Sequence, residues 1–288
     1  MKLMHLSDLH LGKRINEFSM LEDQKYILNE IVQIVINEAV ETVLISGDVY
    51  DKSVPPGQAV TLFDDFLTRL QELQCTVFFV AGNHDAPERL AFAGRLLEHS
   101  RVYLSPVFDG TMTCRTLCDA HGEVDVWLLP FVKPAAVRPF YPDDAIESYQ
   151  EAVAAVLKRN PPHEGRRSIL LAHQFVTGAK TGGSEELSIG GAENIDGALF
   201  DAYDYVALGH IHSAQRVGRE TVRYCGSPLK YSLSEARGAK SVTVVTLGEK
   251  GSIDIKLCPL TPLHDLRVIR GTYDEVTARP FYEGTATD

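Results

Sequence analysis

The first half of the chain alternates short apolar runs with helical patterns. Residues 3–6, 42–45 and 76–81 are largely apolar, and each run is typical of a buried strand. Between these runs, apolar residues recur at helical spacing over residues 21–40 and 63–70. Strands that alternate with helices of this length predict right-handed crossovers and a mainly parallel sheet.

The second half is richer in strands. Residues 112–117 and 124–129 flank a polar stretch typical of a hairpin loop, and residues 146–158 have a helical pattern. Further strands are predicted over residues 168–172, 204–208, 215–217, 222–225, 241–247 and 252–257. This mixture predicts an α/β protein with two sheets and leaves the strand order open. Residues 259–262 are predicted to form a linker, and residues 265–270 a further strand.

The composition of the chain excludes several classes of protein. The 288 residues are 44% hydrophobic and 23% charged, which excludes a disordered or fibrous chain. The net charge of -11 argues against general adhesion to nucleic acid, although bound metal ions can reverse the field at a site. Five scattered cysteines favour reduced thiols and a cytoplasmic protein. The apolar runs are shorter than the ~18 residues of a membrane span, so no membrane partner is expected.

Five predicted strands run straight into side chains that can bind a metal ion. These side chains are Asp8 and His10, Asp48, Asn83 and His84, His173, and His210 and His212. Ligands of open α/β sheets lie beyond the carboxyl ends of the strands, so we expect the five groups to converge at one edge. Because residues i and i+2 of an extended segment point the same way, Asp8 with His10 and His210 with His212 are predicted ligand pairs.

The donor types indicate two ions. Imidazole, carboxylate and amide oxygen together suit Mn, Fe or Zn better than Ca. Seven of these eight side chains already exceed the needs of one ion, whereas two ions about 3.5–4 Å apart that share one carboxylate would use seven. Such pairs catalyse in-line displacement at phosphorus. The sequence therefore predicts a two-metal phosphoester hydrolase.

These motifs resemble the signature of calcineurin-like metallophosphoesterases. The matching segments are Asp8-Leu9-His10, Gly47-Asp48, Gly82-Asn83-His84-Asp85, His173 and Gly209-His210-Ile211-His212. A narrower resemblance, over residues 1–274, is to the SbcD exonuclease subunits, the bacterial counterparts of the Mre nuclease. It rests on Tyr50-Asp51, Val54-Pro55-Pro56, His173-Gln174-Phe175, Phe200, and residues 204–210 and 224–232.

The resemblance implies a four-layer α/β/β/α sandwich and a role for each site residue. One ion would be held by Asp8, His10, Asp48 and His212, and the other by Asp48, Asn83, His173 and His210. Asp48 would thus bridge two divalent ions, Mn²⁺ first, with Fe, Zn or Mg as alternatives. His84 would bind no metal but would protonate the leaving oxygen, with Asp85 orienting its ring.

The resemblance also implies activity and partners. It implies 3′-to-5′ exonuclease activity on double-stranded DNA ends and endonuclease cleavage of single strands and hairpins, in repair, recombination and replication. The expected partners are the SbcC ATPase and a second copy, with residues 16–40 and 57–73 as the dimer contact. The expected domains are the nuclease domain over residues 1–260 and a linker with the start of a truncated capping domain over residues 261–288. Asp51 departs from relatives that carry a second active-site histidine there.

Two other functions stay open at this point: a small-molecule or cyclic-nucleotide phosphoesterase of the same superfamily, and a non-catalytic scaffold subunit. The segments 54–56 and 224–232 favour the nuclease, and the full set of ligands argues against a scaffold. A zinc site at Cys114, Cys118 and His121 is a weaker interpretation than a plain β-hairpin, since it offers three ligands. The glycine-rich residues 178–191 are interpreted as a loop near the site.

Overall fold

A computed structural model describes residues 1–105, 107–180 and 193–283. Its strands are β1 (Lys2–Leu6), β2 (Arg14–Ile15), β3 (Phe18–Ser19), β4 (Thr42–Ser46), β5 (Thr76–Val80), β6 (Val102–Leu104), β7 (Thr113–Asp119), β8 (Gly122–Leu129), β9 (Arg167–His173), β10 (Tyr205–Gly209), β11 (Gln215–Val217), β12 (Arg219–Tyr224), β13 (Lys240–Leu247) and β14 (Ile253–Leu260). Its α-helices are α1 (Leu21–Asn37), α2 (Gly57–Glu72), α3 (Pro87–Leu90), α4 (Gly94–Leu97), α5 (Pro134–Val137), α6 (Tyr149–Arg159), α7 (Tyr273–Thr277) and α8 (Arg279–Tyr282).

The strands form two six-stranded mixed sheets and one small hairpin of β2 and β3. The first sheet has the order β14-β13-β1-β4-β5-β6, and the second has the order β11-β12-β10-β9-β8-β7. In the first sheet β1, β4, β5 and β6 run parallel, while β13 is antiparallel to both of its neighbours, β1 and β14. In the second sheet β8, β9, β10 and β12 are parallel, and β7 and β11 pair antiparallel at the two edges. The predicted parallel crossovers of the first half are confirmed.

Alternation along the strands creates three apolar layers. In β4, Leu44 faces a layer between the two sheets, whereas Val43 and Ile45 face the layer that α1 and α2 cover. In β9, Leu171 enters the layer between the sheets and Leu170 faces the layer beneath α6. Both sheets are therefore buried on two faces, and the fold is the predicted four-layer α/β/β/α sandwich.

Helix α1 ends earlier than its apolar pattern predicts. The pattern runs to residue 40, but the helix stops at Asn37. Ala39 has a φ of 51°, in the left-handed region that a right-handed helix does not use. The N–H of Val40 then bonds the carbonyl of Val35, which turns the chain into β4.

Two expectations about the C-terminal segment are wrong. Pro259 and Leu260 are not a linker but the end of β14, paired with Ser241 and Lys240 of β13. Residues 265–270, all of which the structure describes, form no strand. A strand needs a partner edge, and here side-chain contacts at the start of the segment fix it instead: His264 Nδ1 lies 2.9 Å from Asp23 Oδ1 in a hydrogen bond, and Asp265 forms an ion pair with Lys230 at 2.7 Å. The boundary at residue 260 stays a prediction.

Among the described helices, none combines the length and the apolar character that crossing a membrane requires.

Candidate metal centre

The seven predicted ligands and His84 lie at the carboxyl ends of five strands from both sheets. Strands β1, β4 and β5 of the first sheet lead into Asp8 and His10, Asp48, and Asn83 and His84, in that order. In the second sheet, β9 ends at His173 and β10 leads into His210 and His212. The predicted convergence is therefore observed, and the cleft between the two sheet edges brings the side chains together.

Left-handed backbone turns, not extended segments, aim these side chains. Asp8, His10 and Asp48 have φ values of 54°, 43° and 49°, so the expected extended pair of Asp8 and His10 is wrong. The N–H of Asp8 donates to the carbonyl of Gly47, and the N–H of His10 donates to that of Asp48, both at 3.0 Å. These bonds hold the two loops side by side. Non-glycine residues in this region cost about 1–3 kcal/mol each and cluster at functional sites.

One set of ligands comprises Asp8, His10 and His212. Their ligand atoms all lie within 4.8 Å of one another, and all three residues are buried. The Nε2 atoms of His10 and His212 are 3.1 Å apart, so both rings present a nitrogen to the same point. This set draws on both sheets.

The other set comprises Asn83, His173 and His210, with Asp48 between the two sets. The Oδ1 atom of Asn83 lies 3.0 Å from His173 Nε2 and 3.0 Å from His210 Nδ1. Asp48 Oδ2 lies 3.3 Å from His173 Nε2 and 3.7 Å from His10 Nε2. A single carboxylate thus contacts a histidine of each set, which is the position that a bridging ligand requires.

The side chains present fit two transition-metal ions. His10 Nε2 faces His212 Nε2, and Asn83 Oδ1 faces a nitrogen of His173 and one of His210, so the ligand atoms of each set point at one another. The donors are imidazole, carboxylate and amide oxygen, which suit Mn, Fe or Zn. Asp8, His10, Asp48 and His212 would hold one ion, and Asp48, Asn83, His173 and His210 the other.

The electrostatics favour an ionised Asp48 beside a charged His173, with neutral rings at His10 and His210; a metal ion that binds His173 would displace its proton. Burial opposes the charge on Asp48, but the facing His173 ring outweighs it and holds the pKa of this carboxyl well below its usual value. Burial likewise disfavours a charged His173, yet Asp48 raises the pKa of that ring to about 9. Burial, and then the charge on His173, lower the pKa of His210 to about 3, and burial lowers that of His10. Neutral imidazoles are the form that binds metals.

Most of the chain matches one family of known proteins. The family model described as "Calcineurin-like phosphoesterase" matches residues 1–214. The chain belongs to this family. The family is one of phosphoesterases, and the clustered Asp and His side chains described above are candidate metal ligands.

The chain also aligns with solved structures at low sequence identity. A dimetal phosphatase from Danio rerio is 12% identical, with 90% of this chain and 96% of that chain covered and a TM-score of 0.54. A Thermus thermophilus protein is 13% identical over 89% of this chain and 98% of its own, with a TM-score of 0.48. A novel archaeal phosphodiesterase is 12% identical over 89% of this chain and 99% of its own, with a TM-score of 0.38. At these identities the likeness concerns the fold alone.

His84 lies beside the proposed ligands, and its ligand atom is within 4.8 Å of those of His10 and Asp48. Its side chain is half-buried, and its ring meets the His10 ring edge-on at 4.8 Å between centroids. Its Nδ1 lies 3.0 Å from the carbonyl oxygen of Asp51. Because a carbonyl only accepts hydrogen bonds, Nδ1 carries a proton and Nε2 is left for other chemistry.

Asp85 does not orient the His84 ring, so that expectation is wrong. Its Oδ2 accepts hydrogen bonds from the N–H groups of Gly82 at 2.9 Å and Val49 at 3.2 Å, and its Oδ1 accepts one from Tyr50 at 3.0 Å. Burial, and then the charge on Asp48, raise the pKa of Asp85 to about 6. The turn at His84 sends the carboxylate inward, where it ties the loop after β4 to the loop after β5.

Several supporting residues have no signal in the sequence. His173 Nδ1 donates to the carbonyl of Ser46 at 2.8 Å, which leaves Nε2 for a metal. Gln24 of α1 donates to the carbonyl of His10 at 2.7 Å and fixes that loop. His212 Nδ1 lies 3.2 Å from Glu235 Oε1. Burial disfavours a charged His212, but the bond to Glu235 outweighs it and raises the pKa of the ring.

Three further sequence predictions concern Asp51, the cysteine cluster and the glycine-rich segment. Asp51 forms an ion pair with Lys13 at 2.8 Å beside His10. Cys114 lies near Asp125 and His163, not in a cluster with Cys118 and His121; the Asp125 carboxylate already accepts bonds from Thr116 and His163, at 2.6 and 2.7 Å. Residues 181–191 of the glycine-rich segment 178–191 lie outside the described residues.

Proposed function

We propose that this chain is a two-metal DNA phosphodiesterase, the SbcD-like nuclease subunit of an SbcCD-type complex. The proposed reactions are 3′-to-5′ exonuclease action on double-stranded ends and endonuclease action on single strands and hairpins, in cytoplasmic DNA repair, recombination and replication. Mn²⁺ is the proposed metal, and SbcC and a second copy are the proposed partners. The observation that carries the proposal is the meeting of two ligand sets around Asp48, with His84 half-buried beside them.

Each proposed role follows from a contact of this chain. When bound, the two ions would activate water and neutralise charge on the phosphoryl oxygens. His84 keeps one proton on Nδ1 through the carbonyl of Asp51, so that a proton on Nε2 can pass to the leaving oxygen. Asp85 fixes the backbone that carries His84 and does not touch the ring. It is therefore proposed as a positioning residue.

The choice of DNA rests on the SbcD-like segments, one of which builds a wall of the site. In residues 224–232, the N–H of Ser227 donates to the carbonyl of His212 at 3.2 Å. The ring of Tyr231 lies 5.5 Å from that of His10 and 6.0 Å from that of His212, between centroids. A segment that resembles the nuclease subgroup thus contacts ligand histidines of the centre, which supports a nuclease over a small-molecule phosphoesterase.

The test is hydrolysis with Mn²⁺ by the wild type, His84→Gln and His99→Gln. His99 is an exposed histidine close to Arg101, which pairs with Val77 at the start of β5, the end opposite to the ligands, and it serves as the matched control. We expect His84→Gln to bind two Mn²⁺ ions but to cleave DNA about 10²–10⁴-fold more slowly, the usual contribution of a general acid. His99→Gln should match the wild type.

Substrates separate the proposal from its alternatives. Duplex DNA with free ends, single-stranded DNA and a simple phosphate ester are compared. Hydrolysis of the ester with both DNAs left intact would indicate a small-molecule phosphoesterase. A wild type that binds no Mn²⁺ would indicate a scaffold, and equal DNA cleavage by His84→Gln would exclude His84 as the acid.

A further inference from the structure

We propose that Glu235 and Lys240 are positioning residues that fix the metal-binding nitrogen of His212. The inference rests on the proposed role of His212 as a ligand. Glu235 ends a short 3-10 turn, Leu233–Glu235, and Lys240 is the first residue of β13. Both residues are nearly fully buried: 4% of the surface of Glu235 and 8% of that of Lys240 are exposed.

The carboxylate of Glu235 determines which nitrogen of His212 can bind a metal. Glu235 Oε1 lies 3.2 Å from Nδ1, while Nε2 faces His10 Nε2 on the opposite side of the ring. A carboxylate accepts a hydrogen bond, so the proton stays on Nδ1 and the lone pair of Nε2 points to the centre. A carboxylate partner also makes the ring a stronger donor to a metal ion.

Lys240 holds both the carboxylate and the backbone of this histidine. Its Nζ is in ion-pair contact with Glu235 Oε2 and donates to the carbonyl of His212 at 2.9 Å and to Ser227 Oγ at 2.7 Å. The N–H of Tyr231 donates to Glu235 Oε1 at 3.3 Å. A buried carboxylate is costly unless such groups compensate it, and these contacts keep its two oxygens in fixed directions.

The ion pair of Glu235 and Lys240 also connects the two sheets. His212 follows β10 of the second sheet, whereas Lys240 opens β13 of the first. The ligands of the centre come from both sheets, so their spacing depends on how the sheet edges are held. Glu235 and Lys240 link a ligand of one sheet directly to a strand of the other. His173, by comparison, has a backbone carbonyl, that of Ser46, at its Nδ1.

The experiment is Mn²⁺ titration of the wild type, Glu235→Gln and Asp119→Asn by calorimetry. Asp119 forms a partly buried ion pair with Arg167 and with the N-terminus, at the starts of β9 and β1, whereas the ligands lie at the carboxyl ends of these strands. Its variant therefore reports what loss of a partly buried charge does by itself. We expect Glu235→Gln to bind one of two ions about 10–100-fold more weakly, the usual effect of losing such a partner. Asp119→Asn should keep both constants within about twofold.

Two further measurements keep the inference falsifiable. Should Glu235→Gln not fold, Glu235→Asp is measured instead: it retains the charge but shortens its reach, so it should bind one of the two ions more weakly than the wild type does. In the zinc-loaded, ¹⁵N-histidine-labelled protein, a protected Nδ1–H resonance should disappear in Glu235→Gln. Unchanged Mn²⁺ constants in a folded Glu235 variant would overturn the inference. A wild type that fails to bind two ions would instead refute the proposed function.

Discussion

Gly47 is the position where one added methyl group tests the geometry of the centre most sharply. Its φ is +86°, and a Cβ there would lie 2.4 Å from Nδ1 and 2.6 Å from Cγ of His173. The ring cannot yield without breaking its hydrogen bond to the carbonyl of Ser46 and moving Nε2 away from Asn83. Gly47→Ala should therefore disturb a proposed metal ligand directly.

A matched glycine separates backbone strain from this collision. Gly251, in the turn between β13 and β14, has a φ of +83° and nothing within 4 Å of its Cβ position. Either alanine variant costs about 1–2 kcal/mol for the left-handed backbone. Gly47→Ala adds overpacking of a buried site, about 1–3 kcal/mol. The difference between the two variants is then about 1–3 kcal/mol.

The assay is urea unfolding of both variants in chelator, followed by Mn²⁺ titration. Chelator is needed because a bound metal adds its own stabilisation. We expect Gly47→Ala to be less stable than Gly251→Ala by about 1–3 kcal/mol. It should also bind at least one ion more weakly, by more than the roughly 10–100-fold that loss of a supporting contact costs, because a ligand itself moves. Equal stability of the two variants, with wild-type Mn²⁺ binding in both, would refute the reasoning.

Two further predictions concern the scaffold. Hydrogen bonds from Arg167 hold the pKa of Asp119 well below its usual value. This carboxyl therefore stabilises the fold above about pH 4, and the stabilisation is lost as the pH falls. Between pH 7 and pH 3 the urea midpoint should fall less steeply in Asp119→Asn than in the wild type, and parallel curves would contradict this. Ser148 caps α6 by accepting a bond from the N–H of Glu151 at 3.2 Å, so Ser148→Ala should cost about 1 kcal/mol of unfolding free energy with Mn²⁺ binding unchanged, and no loss would contradict the cap.

The sequence predicts that the candidate ligands converge because each one lies at the end of a strand or within four residues after it. Apolar runs locate β1, β4, β5, β9 and β10, and the carboxyl ends of parallel strands meet at one edge. The glycines there have a steric reason as well. A Cβ at Gly209 would lie 1.8 Å from the carbonyl oxygen of Ser46, and one at Gly82 would lie 2.1 Å from Asp48 Oδ1. Local pattern and tertiary structure agree at these positions.

The supporting contacts could not be predicted, because they join residues that are far apart in the chain. Glu235 is 23 residues from His212, and Gln24 reaches the carbonyl of His10 only after α1 has packed on the first sheet. Asp85 shows the converse problem. Sequence adjacency places it beside His84, yet the turn directs its carboxylate to the N–H groups of Gly82, Val49 and Tyr50. Contacts of this kind depend on the backbone path, which hydrophobic periodicity does not encode.

The most direct test of the account is a crystal structure with Mn²⁺ in which anomalous scattering locates the metal. We predict two peaks about 3.5–4 Å apart, the spacing of paired catalytic ions. One should contact Asp8, His10 and His212, the other should contact Asn83, His173 and His210, and Asp48 should reach both. A single peak, or two peaks that Asp48 does not join, would contradict the central claim.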